Sequence, residues 1–450
     1  MFSLLRSIAT TVANGSSLRA RLARATGWML AGSGLNQAFA MLASIGAARI
    51  LGKTAFGEFG AVRSTIMTMA VLAGGGLGMA TTRSVAALRT QDPDRAGRLI
   101  GLVLTLAWTM TGIAAVACAL LARPIAVSVM KSENLAFPLM VSALAIVFST
   151  VGGVQIGVVA GCEAFRPVAV LLTLEGIAAG VLMVAGAWLG GVAGAVGGYV
   201  AGTFIAFLLR HRQVRIECTK ANIPIAPLSF VHLREEVPFL LSAVIPSMLL
   251  VVGAQPAEWL VRMMLVRGAG GMAALGLFTA AYSWAQLVQF IPSQIAGPAL
   301  TLLSTLVGAG DWPAFRRLLA ESAGVVFGAA AVMAIPLAFL SKFIMGLYGP
   351  AFRDGAGVFS VIVLAYAFGS VWTMLRATFL AAGREWFQLA FTLAWGLGLP
   401  LFFLLQGPRT AMTLALSYGT SFLLVVGGQL VAAWFLFRGS RRTQVVAGGV

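Results

Sequence analysis

Apolar runs long enough to cross a bilayer recur along the whole chain, with polar residues confined mostly to the short stretches between them. A helix needs about 20 apolar residues to span the hydrocarbon core. Such runs fall at 27–48, 60–82, 99–121, 135–160, 168–188, 190–209, 238–262, 274–304, 322–344, 356–381, 387–406 and 412–437, twelve in all. Only a glycine-rich turn (Gly190, Gly191, Gly194) divides the fifth from the sixth, and the eighth is long and carries Pro292 and Pro298. The pattern predicts an all-α integral membrane protein. Its parts are a basic leader over 1–26, six helices over 27–209, a polar connector over 210–237, six more over 238–437, and a tail over 438–450.

Composition agrees with the pattern. Of 450 residues, 59% are hydrophobic and only 10% charged, and the mean hydropathy is +0.94. A soluble domain carries about 25% charged residues. The 53 glycines follow no three-residue period, which excludes collagen, and membrane helices tolerate glycine better than soluble ones.

The formal charge of +17 sorts by side. With the N-terminus inside, 20 Lys and Arg lie on the inner side, 10 lie on the outer side, and Arg376 lies within a span. Basic residues favour cytoplasmic loops, so both termini are placed in the cytoplasm and the excess charge reflects topology, not nucleic acid. In the leader, Arg19, Arg21 and Arg24 follow the apolar start, the reverse of a signal peptide. Two readings stay open for it: an amphipathic segment held by anionic headgroups, or a flexible basic leader. Three scattered cysteines (Cys118, Cys162, Cys218) supply neither a disulfide framework nor metal spacing, and both histidines, His211 and His232, fall in the connector. No metal or cofactor is expected.

The chain also reads as a duplication. Shifted by 219 residues, Phe56–Ser64 falls on Leu275–Ser283 with four identities in nine, and Asp92, Arg98 and Leu99 fall on Asp311, Arg317 and Leu318. Six helices are an even number, so the halves share one orientation. Parallel repeats of this kind belong to transporters with substrate between the halves.

Enzymatic chemistry finds little footing. No outward loop exceeds about fifteen residues, and no pair of carboxylates stands at catalytic spacing. The stretch Ala47–Thr54 fits a relaxed phosphate-loop pattern, but such a loop needs a preceding strand and cytoplasmic ATP. Here it ends a membrane helix on the outer side.

Several motifs carry a family resemblance: Gly34-x-Asn36, Ala48-Arg49-Ile50-Leu51-Gly52, Phe56-Gly57-Glu58-Phe59, Ser64, Gly76-Leu77-Gly78 and Thr82-Arg83-Ser84-Val85-Ala86. Gln255-Pro256-Ala257-Glu258-Trp259, Gly276-x-Phe278-x-Ala280-Ala281-Tyr282-Ser283-Trp284 and Phe290-Ile291-Pro292 continue it. Together they resemble the bacterial polysaccharide flippases of the multidrug/oligosaccharidyl-lipid/polysaccharide exporter superfamily. The resemblance implies two parallel six-helix bundles around a V-shaped central cavity in the inner membrane. It implies a polyprenyl-pyrophosphate-linked oligosaccharide as cargo, moved by alternating access, with membrane lipids and polysaccharide-assembly proteins as further partners and H+ or Na+ as a coupling ion. Rival readings are a cation-coupled multidrug antiporter on the same fold, a peptidoglycan-precursor flippase, whose relatives generally carry two extra spans, and a membrane-embedded polysaccharide polymerase.

Charges inside spans are functional candidates, yet near helix ends they also snorkel. Arg63, Arg83 and Arg376 are candidates for contacting an anionic cargo, each with an alternative as an anchor; Arg49 reads rather as a boundary residue. Asn36 and Gln286, with Gln37, Gln155, Gln255, Gln289 and Gln294, suit a sugar-accepting cavity or interhelical hydrogen bonds equally. Glu175, if unpaired, is the leading candidate for ion coupling. Glu258 is a second, with Arg262 at i+4 as a local partner. Pro246, Pro256, Pro292 and Pro298 free backbone carbonyls and mark a hinge. A pyrophosphate diester carries about two negative charges. An interior-negative potential therefore favours its export by ~4.6 kcal/mol per ~100 mV and opposes that of a cation.

Overall fold

The computed structural model describes residues 18–225 and 253–438. Every regular element among them is helical. Among the described residues, nine helices are long and apolar enough to cross a membrane. Two of these are pairs in effect. Helix α1 (Leu18–Gly74) is broken at Gly52, whose φ of 75° only glycine adopts freely. Helix α5 (Phe165–Lys220) is broken at Gly190 and Gly191, the latter with φ 58°. Counted that way the nine become eleven, and most of the predicted seventh span, 238–262, lies outside the described residues.

The predicted second span is interrupted at a run of three glycines, Gly74 to Gly76, that the apolar pattern reads through. Gly75 and Gly76 form a turn, and the chain resumes as α2 (Leu77–Leu88) behind a left-handed Gly76 (φ 91°). The predicted sixth span runs past 209 to Lys220, because its first basic residue, Arg210, is taken up inside the protein instead of in a loop.

The remaining helices are α3 (Pro93–Leu120), α4 (Ala136–Gly161), α6 (Gln255–Val266), α7 (Gly271–Gly308), α8 (Trp312–Phe339), the short α9 (Ser341–Tyr348), α10 (Ala356–Ala381), α11 (Glu385–Leu405) and α12 (Ala411–Arg438). Helices α3 and α8 start alike. Asp92 accepts from the Arg95 amide at 2.9 Å and Asp311 from the Ala314 amide at 3.0 Å, with a proline in each first turn. Both helices begin and end 219 residues apart. From α4 onward the offset becomes 220, matching α10 to α4 at both ends. The duplication seen in sequence is therefore carried by element boundaries.

Two compact units emerge. The first gathers the described residues up to Ser44, Ile66–Arg123, and those from Ala136 to 225; the second gathers Ile45–Thr65, Pro124–Leu135 and those from 253 on. In the first, Val85, Ile100, Val158, Val168 and Val214 pack as one core cluster. There the two arms of α5 meet backbone to backbone: a Cβ on Gly186 would lie 2.0 Å from the Gly194 carbonyl oxygen, and the reverse holds equally. Small residues permit such approach in lipid, where dispersion and close packing drive association. In the second unit the core is aromatic, with Trp395, Tyr418 and Phe422 in mutual ring contact at 5.9–6.4 Å. Large apolar residues such as Leu120, Leu189, Phe339 and Leu397 are more than three-quarters exposed, as lipid-facing side chains must be.

Candidate functional site

In the second unit, α6 starts at Gln255 with Pro256 in its first turn, where a missing N–H costs no helical bond. That start puts Glu258 and Arg262 one turn apart on one face. Arg262 Nη2 donates to Glu258 Oε2 at 2.9 Å, and the Tyr282 hydroxyl of α7 donates to the same oxygen at 2.9 Å. The guanidinium also lies over the Tyr282 ring, 4.4 Å from its centroid. Gln286, one turn further along α7 and exposed, donates from Nε2 to the Tyr282 hydroxyl at 2.7 Å. Tyr366 of α10 and Tyr418 of α12 close the cluster, with ring centroids 5.7–6.2 Å from Tyr282 and from each other. Three of the five tyrosines in the chain thus converge on one ion pair. Sequence reasoning missed this convergence. The available signal was tyrosine placed mid-span, since this residue usually marks span ends.

The first unit holds a second ion pair. Arg210, 5% exposed, donates from Nη2 to Glu175 Oε2 across the two arms of α5. Gly152 of α4 makes room: a Cβ there would stand 2.2 Å from an Arg210 terminal nitrogen. Glu175 is therefore not the unpaired carboxylate that its depth in the span suggested; its partner comes from the stretch assigned to the connector. Asn36 of α1 lies beside it, with Oδ1 2.6 Å from where a Gly176 Cβ would be. Gln155, buried in α4, presents an Oε1 with no hydrogen-bond partner.

The three arginines singled out from sequence behave differently from these pairs. Arg63 and Arg376 are half-buried and Arg83 is exposed, and none makes a hydrogen bond or ion pair among the described residues. Arg63 and Arg376 belong to the second unit and Arg83 to the first. Of the hinge candidates, Pro292 is buried and Pro298 exposed inside α7, Pro256 opens α6, and Pro246 lies outside the described residues.

Compared with known proteins, residues 22–303 match the family described as "Polysaccharide biosynthesis protein". The chain belongs to this family. The EPS I polysaccharide export inner membrane protein EpsE of Ralstonia nicotianae is 26% identical over 160 residues, covering 35% of this chain and 36% of that protein. The counterpart in Ralstonia solanacearum is 27% identical over the same length. The chain thus spans about a third of the length of the curated relatives it matches. Among solved structures, a multidrug resistance MATE family transporter of the MOP superfamily, in an inward-facing conformation, superposes with a TM-score of 0.75. The match is 14% identical and covers 92% of this chain and 99% of that one. A MOP superfamily transporter from Pyrococcus furiosus gives 0.70 at 14% identity, covering 96% and 98%. The fold of this family member is therefore the one seen in those transporters, and it is a multi-pass membrane protein.

Proposed function

We propose that the protein is a flippase that moves a polyprenyl-pyrophosphate-linked oligosaccharide from the inner to the outer leaflet by alternating access, for surface or exported polysaccharide. One observation carries this reading: the acids and the bases singled out from sequence fare differently in the structure. Glu175 and Glu258 are each paired with an arginine of their own, while Arg63, Arg83 and Arg376 have no counter-ion among the described residues. A guanidinium without a counter-ion favours a phosphate, to which it donates bidentate, charge-assisted hydrogen bonds. Relatives named for export of the EPS I polysaccharide support the cargo class. On this reading Asn36 and Gln286 contact sugar, Pro292 and Pro298 flex α7, and no covalent chemistry is performed. Glu258 is the preferred ion-coupling residue, because the Tyr282 hydroxyl links it to exposed Gln286, whereas Glu175 is held by a buried arginine.

The fold shared with multidrug transporters supports a second reading, a cation-coupled drug antiporter. Unpaired arginines disfavour it, since they repel a cationic drug. The deciding experiment measures surface glycan in cells whose own copy is deleted and replaced. Arg83→Ala and Arg376→Ala each remove a charge-assisted hydrogen bond, worth about 1.5–3 kcal/mol, so glycan export falls about tenfold or more at unchanged membrane insertion. Normal export in both variants overturns the cargo assignment. Drug hypersensitivity with intact glycan on deletion selects the antiporter, and polymer made by purified protein in detergent selects an enzyme.

A further inference from the structure

Two arginines on the outer side make matching bonds in the second unit. Arg49 Nε donates to the Leu347 carbonyl at 2.5 Å, and Arg267 Nη2 donates to the Ser128 carbonyl at 2.9 Å. The acceptors are 219 residues apart and the donors 218, so each bond is the repeat image of the other. Both acceptors end short outer helices that are themselves repeat images. Leu347 lies in the last turn of α9 (Ser341–Tyr348), and Ser128 lies in Ile125–Val129, which continues Ala122–Pro124; the stretches 122–129 and 341–348 differ by 219 at both ends. Final-turn carbonyls lack intrahelical donors and carry the negative end of the helix dipole, so a guanidinium suits them.

Between the two bonds, the helices of the two repeats cross at equivalent glycines. A Cβ on Gly57 would lie 1.9 Å from the Met272 carbonyl oxygen, and one on Gly276 would lie 2.0 Å from the Lys53 carbonyl oxygen. Again Gly57 and Gly276 are 219 apart, as are Lys53 and Met272. Gly60 meets its own counterpart, Thr279. Reciprocal contact of this kind is what a two-fold axis between parallel repeats produces. Phe56 seals the crossing, its ring 6.3 Å from Tyr348 and 6.1 Å from Phe352.

We propose that Arg49 and Arg267 form a symmetric pair of latches that hold the first-repeat segments 45–65 and 124–135 against the second repeat, over the Gly57–Gly276 crossing, and that must release for the outward-open state. The proposal rests on the reading of the protein as an alternating-access carrier but not on its cargo. Carbonyl acceptors suit the task. They cannot be neutralised by pH, and each exposed arginine finds water as soon as the bond opens, so closure is reversible. Glycine at 57 and 276 lets the closed state form by backbone contact alone.

The test is distance measurement by double electron–electron resonance in nanodiscs without substrate. Spin labels go on Thr54→Cys and Phe343→Cys, both exposed and both in this unit, with Cys118, Cys162 and Cys218 replaced by serine. Arg49→Ala and Arg267→Ala each raise the population of the longer distance about threefold to tenfold, by similar amounts because they are symmetry-related, and the double variant raises it further. Lys342→Ala, which removes an exposed outer-side cation with no hydrogen bond or ion pair among the described residues, leaves the distribution unchanged. Gly57→Leu shifts it the same way with both latches intact. A distribution unaltered in both arginine variants overturns the latch, as does an equal shift in Lys342→Ala. Because no cargo is present, failure here leaves the glycan-export reading standing, and failure of that reading leaves this one standing.

Discussion

Arg210 is only 5% exposed, and among the described residues its ion-pair partner is Glu175. Removing one member of a buried pair strands the other, at a cost of about 3–5 kcal/mol, whereas removing both is nearly neutral. Arg210→Met therefore lowers the thermal midpoint of the detergent-solubilised protein steeply, and adding Glu175→Gln recovers most of the loss. Equal melting of single and double variants would show that the two charges do not depend on each other. At Glu258 the outcome differs because the carboxylate serves two donors. Glu258→Gln keeps the shape and can still accept from Tyr282, but it leaves Arg262 without a counter-ion. On the coupling reading, its glycan export loses dependence on an imposed ion gradient, while Tyr282→Phe only weakens it. An unchanged gradient dependence in Glu258→Gln removes this residue from ion coupling.

Among the elements, the hairpin of α5 is exacting, because its arms touch through Gly186 and Gly194 with no space for a side chain. Overpacking a close interface costs about 1–3 kcal/mol. Gly194→Val therefore destabilises the hairpin by about that much, and Gly197→Ala, where a Cβ meets nothing within 4 Å, is near neutral. Thermal midpoints of the two variants check this directly, and equal midpoints would mean the arms separate freely. The hairpin also shows what sequence could reveal. The glycines between the fifth and sixth runs announced a turn, because a local composition decides it. The break at Gly75–Gly76 is equally legible in composition, where Gly74, Gly75, Gly76 and Gly78 stand together, but the apolar run continues on both sides and reads as one span. Arg210 was assigned to a loop for a related reason: hydropathy counts a charge as polar whether or not a partner 35 residues away neutralises it. The tyrosine cluster needed four helices to come together, and no spacing along one helix encodes that. The arginines were legible because an intramembrane charge is rare; that Glu175 was spoken for was not.

For the molecule as a whole, the decisive quantity is the charge carried across the membrane per cycle. On the flippase reading a pyrophosphate diester takes about two negative charges outward, while Arg63, Arg83 and Arg376, which have no counter-ion among the described residues, stay with the protein. Each charge is worth ~2.3 kcal/mol per ~100 mV, so an interior-negative potential of ~60 mV contributes about 2.8 kcal/mol toward export of the pair. That corresponds to about a hundredfold change in the limiting outer-to-inner leaflet ratio. If a cation returned with each cycle through Glu258, the net outward movement would be three negative charges and the dependence steeper, about a thousandfold at the same potential. If an anion accompanied nothing and a cation left with the cargo, the dependence would be shallower. The slope of leaflet ratio against potential thus counts the charge, and with it the coupling. The measurement uses purified protein in proteoliposomes with a potassium-diffusion potential and a short-chain polyprenyl-pyrophosphate saccharide, read by accessibility of the sugar from outside. A ratio that rises with interior-negative potential at two charges per cycle is expected for uncoupled flipping. A ratio that ignores the potential excludes net movement of charge with the cargo, and a drug cation moved alone in the same vesicles must respond with the opposite sign.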